Sequence, residues 1–115
     1  KDGQPVMSYG VMGANMQPQG HMQTLVRMLD YGQNPQAACD APRWRYNAGL
    51  EINVESTLDS NTVAGLQALG HRMEVINDSY QDFGSGQFIW RAGDPKVEGY
   101  IVASDSRRDG LAAGF

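Results

Sequence analysis

The stretch from Gly13 to Trp44 constrains the fold more than any other part of the chain. It starts Gly13-Ala14-Asn15-Met16-Gln17-Pro18-Gln19-Gly20-His21, passes Asp30-Tyr31-Gly32-Gln33-Asn34-Pro35 and ends Asp40-Ala41-Pro42-Arg43-Trp44. In order, this is a strand end, a small-residue turn, a helix, a tight break, a second short helix and a proline stop. Pro18 suits a first helical turn, where its missing N–H costs nothing. From there a helix is expected to run to about Tyr31. Met22, Leu25, Val26 and Leu29 fall at i, i+3, i+4 and i+7, which makes one apolar stripe. Gly32 stands where a left-handed C-cap is expected. Asn34 caps the second helix, with Pro35 at its first position. Pro42 ends it, because the residue before proline avoids the helical region.

The rest of the chain alternates in type. Pro5 to Gly10 reads as a short strand, with a turn over Gly10 to Asn15. Arg43 to Tyr46 reads as another strand. Leu50, Ile52 and Val54 alternate with Glu51, Asn53 and Glu55, the pattern of a strand with one buried face. The stripe of the first helix is expected to pack on the sheet that carries them. Asp59 or Ser60 caps a third helix holding Val63, Leu66 and Leu69, which stops at Gly70. Arg72 to Ile76 reads as a strand and Asn77 to Gly86 as a loop. Gln87 to Arg91 and Tyr100 to Ala103 read as strands joined around Gly93-Asp94-Pro95. The expected class is α+β, and the pattern alone leaves the topology open.

Composition narrows the partners. The chain has 115 residues and a net charge of -4, with 41% hydrophobic residues, enough for a packed core. An acidic balance without a basic cluster points away from nucleic acid. No apolar run approaches the ~20 residues that span a bilayer, so no membrane segment is expected. Lys1-Asp2-Gly3 reads as a hairpin tip with no strand before it, as if cut from a longer protein. The single cysteine, Cys39, lies in the second helix and reads as a small buried residue rather than a nucleophile.

Several residues could carry chemistry. Gly13 and Ala14 have almost no side chain, so their N–H groups can approach a ligand closely. Such a turn before a helix can hold an anion or a developing oxyanion, or can be a plain connector. His21 shares a helix face with Leu25 and has no serine or cysteine at triad spacing. His71 follows the C-cap glycine and reads as structural or solvent-facing. The two histidines are far apart and carry no zinc signature, so no metal site is expected. Asp105, Arg107, Arg108 and Asp109 could bind an anionic substrate, but a salt-bridge network anchoring the C-terminus is the favoured reading. Phe83-Gly84-Ser85-Gly86-Gln87 lacks the lysine of a phosphate loop and reads as a flexible lead-in to a strand. Trp44, Tyr46, Trp90 and Tyr100 read as core or interface aromatics.

The motifs MGANMQPQGH, LDYGQNPQAACDAPRW, GLQALGHRMEV, FGSGQ and ASDSRRDGLAAGF run in this order nearly end to end. Together they resemble the gamma-glutamyltransferase (gamma-glutamyltranspeptidase) family, at the C-terminal part of its small catalytic subunit. The resemblance implies that residues 1–115 are a single partial domain, the C-terminal portion of an αββα sandwich of the N-terminal nucleophile hydrolases. It implies a precursor that cleaves itself and exposes a threonine whose α-amino group serves as base. A γ-glutamyl-enzyme then passes its acyl group to water or an amine. The family's Gly-Gly oxyanion pair falls at Gly13 and Ala14, so the second glycine is replaced. Backbone N–H groups survive that change, so the hole can form if Ala14 takes negative φ, and a site that needs positive φ there would put the hole in doubt. The nucleophilic threonine and the substrate-clamping residues would lie upstream, since Thr24, Thr57 and Thr62 are internal. In the family the last segment usually reads Ala-Ser-Asp-Pro-Arg, and Ser106 stands here for the proline.

The implied partners are the rest of the precursor (the large subunit and the N-terminal part of the small one) and a small γ-glutamyl substrate such as glutathione. No cofactor is implied, and the chain alone should be inactive and self-associate. A periplasmic or secreted location is common in the family, with the cytoplasm as the alternative. A related acylase or γ-glutamyl hydrolase, or a non-catalytic αβ scaffold, are the other readings.

Overall fold

The computed structural model describes residues 1–114, apart from the side chains of Ser79 and Gln81. Phe115, the end of the terminal motif, lies outside the described residues. The elements in order are β1 (Met7–Met12), a 3-10 turn (Ala14–Met16), α1 (Gln17–Leu29) and α2 (Pro35–Asp40). After them come β2 (Trp44–Ala48), β3 (Glu51–Glu55), α3 (Ser60–Ala68) and β4 (Arg72–Ile76). The last are α4 (Ser79–Asp82), β5 (Ser85–Arg91) and β6 (Tyr100–Ser104). The caps follow the side chains expected of them. Asn34 accepts from Ala37 N–H at the start of α2, and Asp59 accepts from Thr62 N–H at the start of α3. The expected loop from Asn77 contains the short helix α4, because Asp78 accepts from Tyr80 N–H and closes a turn there.

The strands form two three-stranded sheets, β1-β5-β6 and β2-β3-β4. The first is antiparallel throughout. In the second, β2 and β3 are antiparallel while β3 and β4 run parallel, with α3 as their connection. Register builds the main core. Tyr9 pairs with Phe88, and Phe88 with Ala103, so all three share one face. Val11, Met28, Ala38 and Cys39 close over that face from β1, α1 and α2.

The helix face differs from the expected stripe. Met22 is 44% exposed and Leu29 62% exposed, while Gly20, Gln23, Thr24 and Met28 are buried. The α1 helix therefore packs mainly on β1 and α2, and it meets the sheet of Ile52 and Val54 at β2 through the Gln19 and Gln23 side chains. Polar residues turn inward because they find partners. Gln23 donates to Trp44 O at 2.8 Å and accepts from Trp44 N–H at 3.1 Å. Thr24 donates to Gly20 O at 2.8 Å. Gly20 admits the strand closely, since a Cβ there would lie 2.7 Å from Val11 Cγ1.

The alternation in β3 also breaks. Ile52 and Val54 are covered, but Leu50 is half exposed and Glu55 is fully buried. Of the four aromatics, Trp90 packs against the core, whereas Tyr46 and Tyr100 face solvent. Met28→Ala is expected to cost about 2–5 kcal/mol in chemical denaturation. Leu29→Ala is expected to stay within about 0.5 kcal/mol. Equal losses at the two positions would mean that the buried face of α1 is misassigned.

Candidate functional site

The turn after β1 holds the backbone in an uncommon conformation. Gly13 has φ +134° and Ala14 has φ +48°, so a residue with a Cβ sits in the left-handed region. The condition of negative φ at Ala14 is not met. Left-handed geometry costs an L-residue roughly 1–2 kcal/mol, and the neighbouring contacts hold it there. Gly13 O accepts from Met16 N–H at 2.8 Å, which closes the 3-10 turn. A Cβ on Gly13 would lie 3.0 Å from Gly84 Cα, so two backbones cross without side chains between them. Gly84, at φ +67°, could carry no Cβ at all, since that atom would meet Met12 O at 2.0 Å. Phe83 to Gly86 are buried, so this segment is a pinned strand start and not a flexible lead-in, with Gln87 exposed beyond it.

The turn opens on a depression of about 420 Å³. It is lined by Met12, Gly13, Ala14, Asn15 and Gln17 together with Arg45, Tyr80 and Arg108. Ala14 begins the 3-10 turn, so its N–H has no partner within it. Arg45 donates to Asp82 Oδ1 at 2.9 Å, and Asn53 donates to Asp82 Oδ2 at 2.9 Å. Arg108 lies over the Tyr80 ring at 3.4 Å from its centroid.

The histidines and the cysteine have structural surroundings. His21 Nε2 accepts from Val11 N–H at 3.2 Å, and Nδ1 lies 2.5 Å from Gln17 O. These bonds make Nδ1 the protonated nitrogen and occupy both ring atoms. The imidazole covers a backbone donor on the edge strand β1. His71 lies beyond the end of α3, where its N–H donates to Leu66 O at 3.2 Å. Cys39 Sγ donates to Gly86 O at 3.6 Å. Burial, with the Asp105 carboxylate beside it, pushes the thiol up to about 12. A thiolate is needed for attack or for metal binding, and burial disfavours it at Cys39. It shares a 4.8 Å cluster with Asp40 and Asp105, but Asp105 is already held by two arginines.

Those arginines belong to the network that fixes the site. Arg43 is 1% exposed and donates to Asp105 Oδ2 at 2.8 Å, to Phe83 O at 2.9 Å and to Cys39 O at 3.1 Å. Asp105 Oδ2 also accepts from Gly86 N–H at 2.7 Å. Arg107 reaches Asp105 Oδ1 at 3.1 Å and grips both oxygens of Glu55, at 2.6 and 2.5 Å. It also donates to Cys39 O and Ala41 O at the end of α2. Of the four residues read as a salt-bridge anchor, Asp105 and Arg107 form one, whereas Arg108 bonds only carbonyls and Asp109 takes no part in the ion pairs among the described residues. Sequence reasoning missed Arg43 and Glu55, the other half. Arg43 followed a proline stop and Glu55 occupied a polar position of an alternating strand, so neither carried a signal. Arg45 and Tyr80 were likewise not seen as site residues.

Comparison with known proteins bears on all of this. The family described as Gamma-glutamyltranspeptidase matches residues 1–115. The glutathione hydrolase-like YwrD proenzyme of Bacillus subtilis is 36% identical over all of this chain and 22% of its own length. The oxamate amidohydrolase proenzyme of Klebsiella pneumoniae is 32% identical over 96% of this chain and 21% of its own length. The solved structure of cephalosporin acylase from Bacillus halodurans superposes with a TM-score of 0.90 at 41% identity, covering 100% of this chain and 21% of that one. The chain thus spans about a fifth of these relatives. The fold is α+β and corresponds to the C-terminal portion of the αββα N-terminal nucleophile hydrolase sandwich.

Asp105 gives the site a pH dependence. Burial alone would raise its carboxyl, but the Arg43 charge and the N–H groups of Arg107 and Gly86 outweigh that and hold it below the usual range. A depressed folded pKa contributes stability that is present above the unfolded value, about 3.9, and is lost as pH falls through the folded one. Stability is therefore expected to fall below about pH 4. Asp105→Asn should cost about 3–5 kcal/mol at pH 7 by leaving Arg43 buried and unpaired, and should flatten the acid limb. Denaturation midpoints against pH check both, and an Asp105→Asn variant as stable as the parent would refute the network's role.

Proposed function

The chain belongs to the gamma-glutamyltranspeptidase family, and from that premise we propose that it completes the active site of an enzyme that transfers or hydrolyses γ-glutamyl groups. The observation that carries the reading is the Gly13–Ala14 turn. Its backbone is held in one conformation by the crossing with Gly84, and it borders an open depression. Preorganised N–H donors of this kind stabilise the oxyanion of acyl transfer without reorganising as charge develops. Ala14 has the left-handed backbone for which a glycine is the unstrained choice. The hole in this reading forms on a strained, left-handed alanine and not on the negative-φ backbone expected for it, and it relies on the N–H groups that the replacement retains.

In this reading residues 1–115 are one partial domain of a longer precursor. The nucleophile is an N-terminal threonine upstream of Lys1, and its own α-amino group takes the hydroxyl proton. The hydroxyl attacks the γ-carbonyl, and the oxyanion forms against Gly13 and Ala14. Collapse expels the amine, which takes that proton from the α-ammonium group, and leaves the γ-glutamyl ester. Water or a second amine then attacks the ester through the same oxyanion. Glutathione fits as donor. The names of two relatives, a glutathione hydrolase-like proenzyme and an oxamate amidohydrolase proenzyme, favour water as the acceptor. The rest of the precursor supplies the acyl-side clamp, and the isolated chain self-associates through surface that this remainder covers.

Three outcomes are expected. The isolated chain shows no turnover of a γ-glutamyl-anilide. In the full-length, self-processed enzyme, Gly13→Val lowers kcat by about 10²–10³. Ala14→Gly keeps or raises kcat and gains roughly 1 kcal/mol or more by relieving the left-handed alanine. Thermal unfolding separates loss of function from loss of fold. If Gly13→Val folds, matures and turns over like the parent, the turn is only a connector.

A further inference from the structure

Arg108 stands apart from the other arginines near the site. Arg43 and Arg107 are sealed into the buried network, and Arg45 is paired with Asp82. Arg108 makes no ion pair among the described residues. Its guanidinium donates to Arg107 O at 2.9 Å and to Tyr80 O, both neutral carbonyls. Together with the Tyr80 ring, these contacts fix the plane of the guanidinium without neutralising its charge. The plane lines the same depression as Gly13 and Ala14. A planar cation pre-set by a ring and two carbonyls loses little freedom when it takes an anion, and a carboxylate matches its fork.

We propose that Arg108 is a specificity-determining residue that holds a carboxylate of the substrate beside the Gly13–Ala14 turn. The assignment rests on the functional reading above and deepens it. Arg45 lines the same depression but its charge is spent on Asp82, so the uncompensated positive charge comes from Arg108. Tyr80 acts as the positioning residue, through the guanidinium and not on the substrate. The carboxylate can belong to the acyl half or to the amine half of the substrate, and the two sources are separable.

The test uses the full-length, self-processed enzyme and its Arg108→Gln and Arg108→Lys variants, with Arg72→Gln as a remote control. Two substrates are compared: γ-glutamyl-anilide, with a carboxylate on the acyl half only, and γ-glutamyl-4-aminobenzoate, with a second one on the amine half. Arg108→Gln is expected to raise KM ~10-fold or more with kcat little changed, since a charge-assisted bond is lost from ground and transition state alike. Arg108→Lys should restore part of the loss. An effect on both substrates places the carboxylate on the acyl half, and one confined to the aminobenzoate places it on the amine half. An unchanged KM for both, or the same change in Arg72→Gln, overturns the proposal. Calorimetric titration with glutarate keeps the subsite separate from the activity. If the parent turns over neither substrate, the functional reading fails. The subsite then stands if Arg108→Gln weakens glutarate binding ~10-fold, and falls if binding is absent or unchanged.

Discussion

Four charged side chains meet where the two sheets join: Arg43, Asp105, Arg107 and Glu55. Two guanidiniums face two carboxylates, and nearly all of this lies out of water. Glu55 ends β3 in one sheet, Asp105 follows β6 in the other, and Gly86 N–H ties β5 to the same carboxylate. The carbonyls of Cys39 and Ala41, which a helix end would leave unpaired, are satisfied by the arginines. Such a network is no cheap source of stability, because each ion loses its hydration. Its effect is positional. Removing one member strands a buried charge, so α2, the two sheets and the terminal segment are held in one arrangement.

That arrangement reaches the turn through a short path. Arg43 donates to Phe83 O, and the next residue, Gly84, lies against Gly13 and Met12. The backbone crossing of Gly13 and Gly84 leaves no space for a Cβ on Gly84, which limits how the turn can relax. Ala14 consequently keeps a left-handed φ at a cost that a glycine would avoid. Strain retained at a site bordered by an open, cationic depression suits preorganisation, in which donors wait in place for a charge that forms later.

Local signals were legible where chemistry is local. Pro18, Asn34, Pro35, Asp59 and Gly70 mark helix ends with the mechanism that makes them do so, and the elements lie within a few residues of their expected limits. The order of motifs identified the family. Burial was less legible. The stripe of Met22 and Leu29 has the right spacing for a core face, but hydrophobic spacing does not account for Gln23, whose amide satisfies both backbone groups of Trp44. Glu55 looked like the polar side of a strand because its counter-ion comes from Arg107, far along the chain. Half of the anchor was visible as the Asp105–Arg107 cluster, and the other half depended on tertiary contact. The Gly13–Ala14 turn was visible as small residues before a helix, while its left-handed alanine and the facing Arg45, Tyr80 and Arg108 required the fold.

The central claim is that this chain supplies oxyanion donors to a nucleophile that it does not itself contain. A crystal structure of the full-length, mature enzyme trapped as its γ-glutamyl-enzyme tests it most directly. The account predicts the acyl group on an N-terminal threonine upstream of Lys1, with the carbonyl oxygen about 2.7–3.1 Å from the Gly13 and Ala14 nitrogens. An acyl group on a residue of this chain, such as Cys39, or a carbonyl oxygen bound away from that turn, would contradict it.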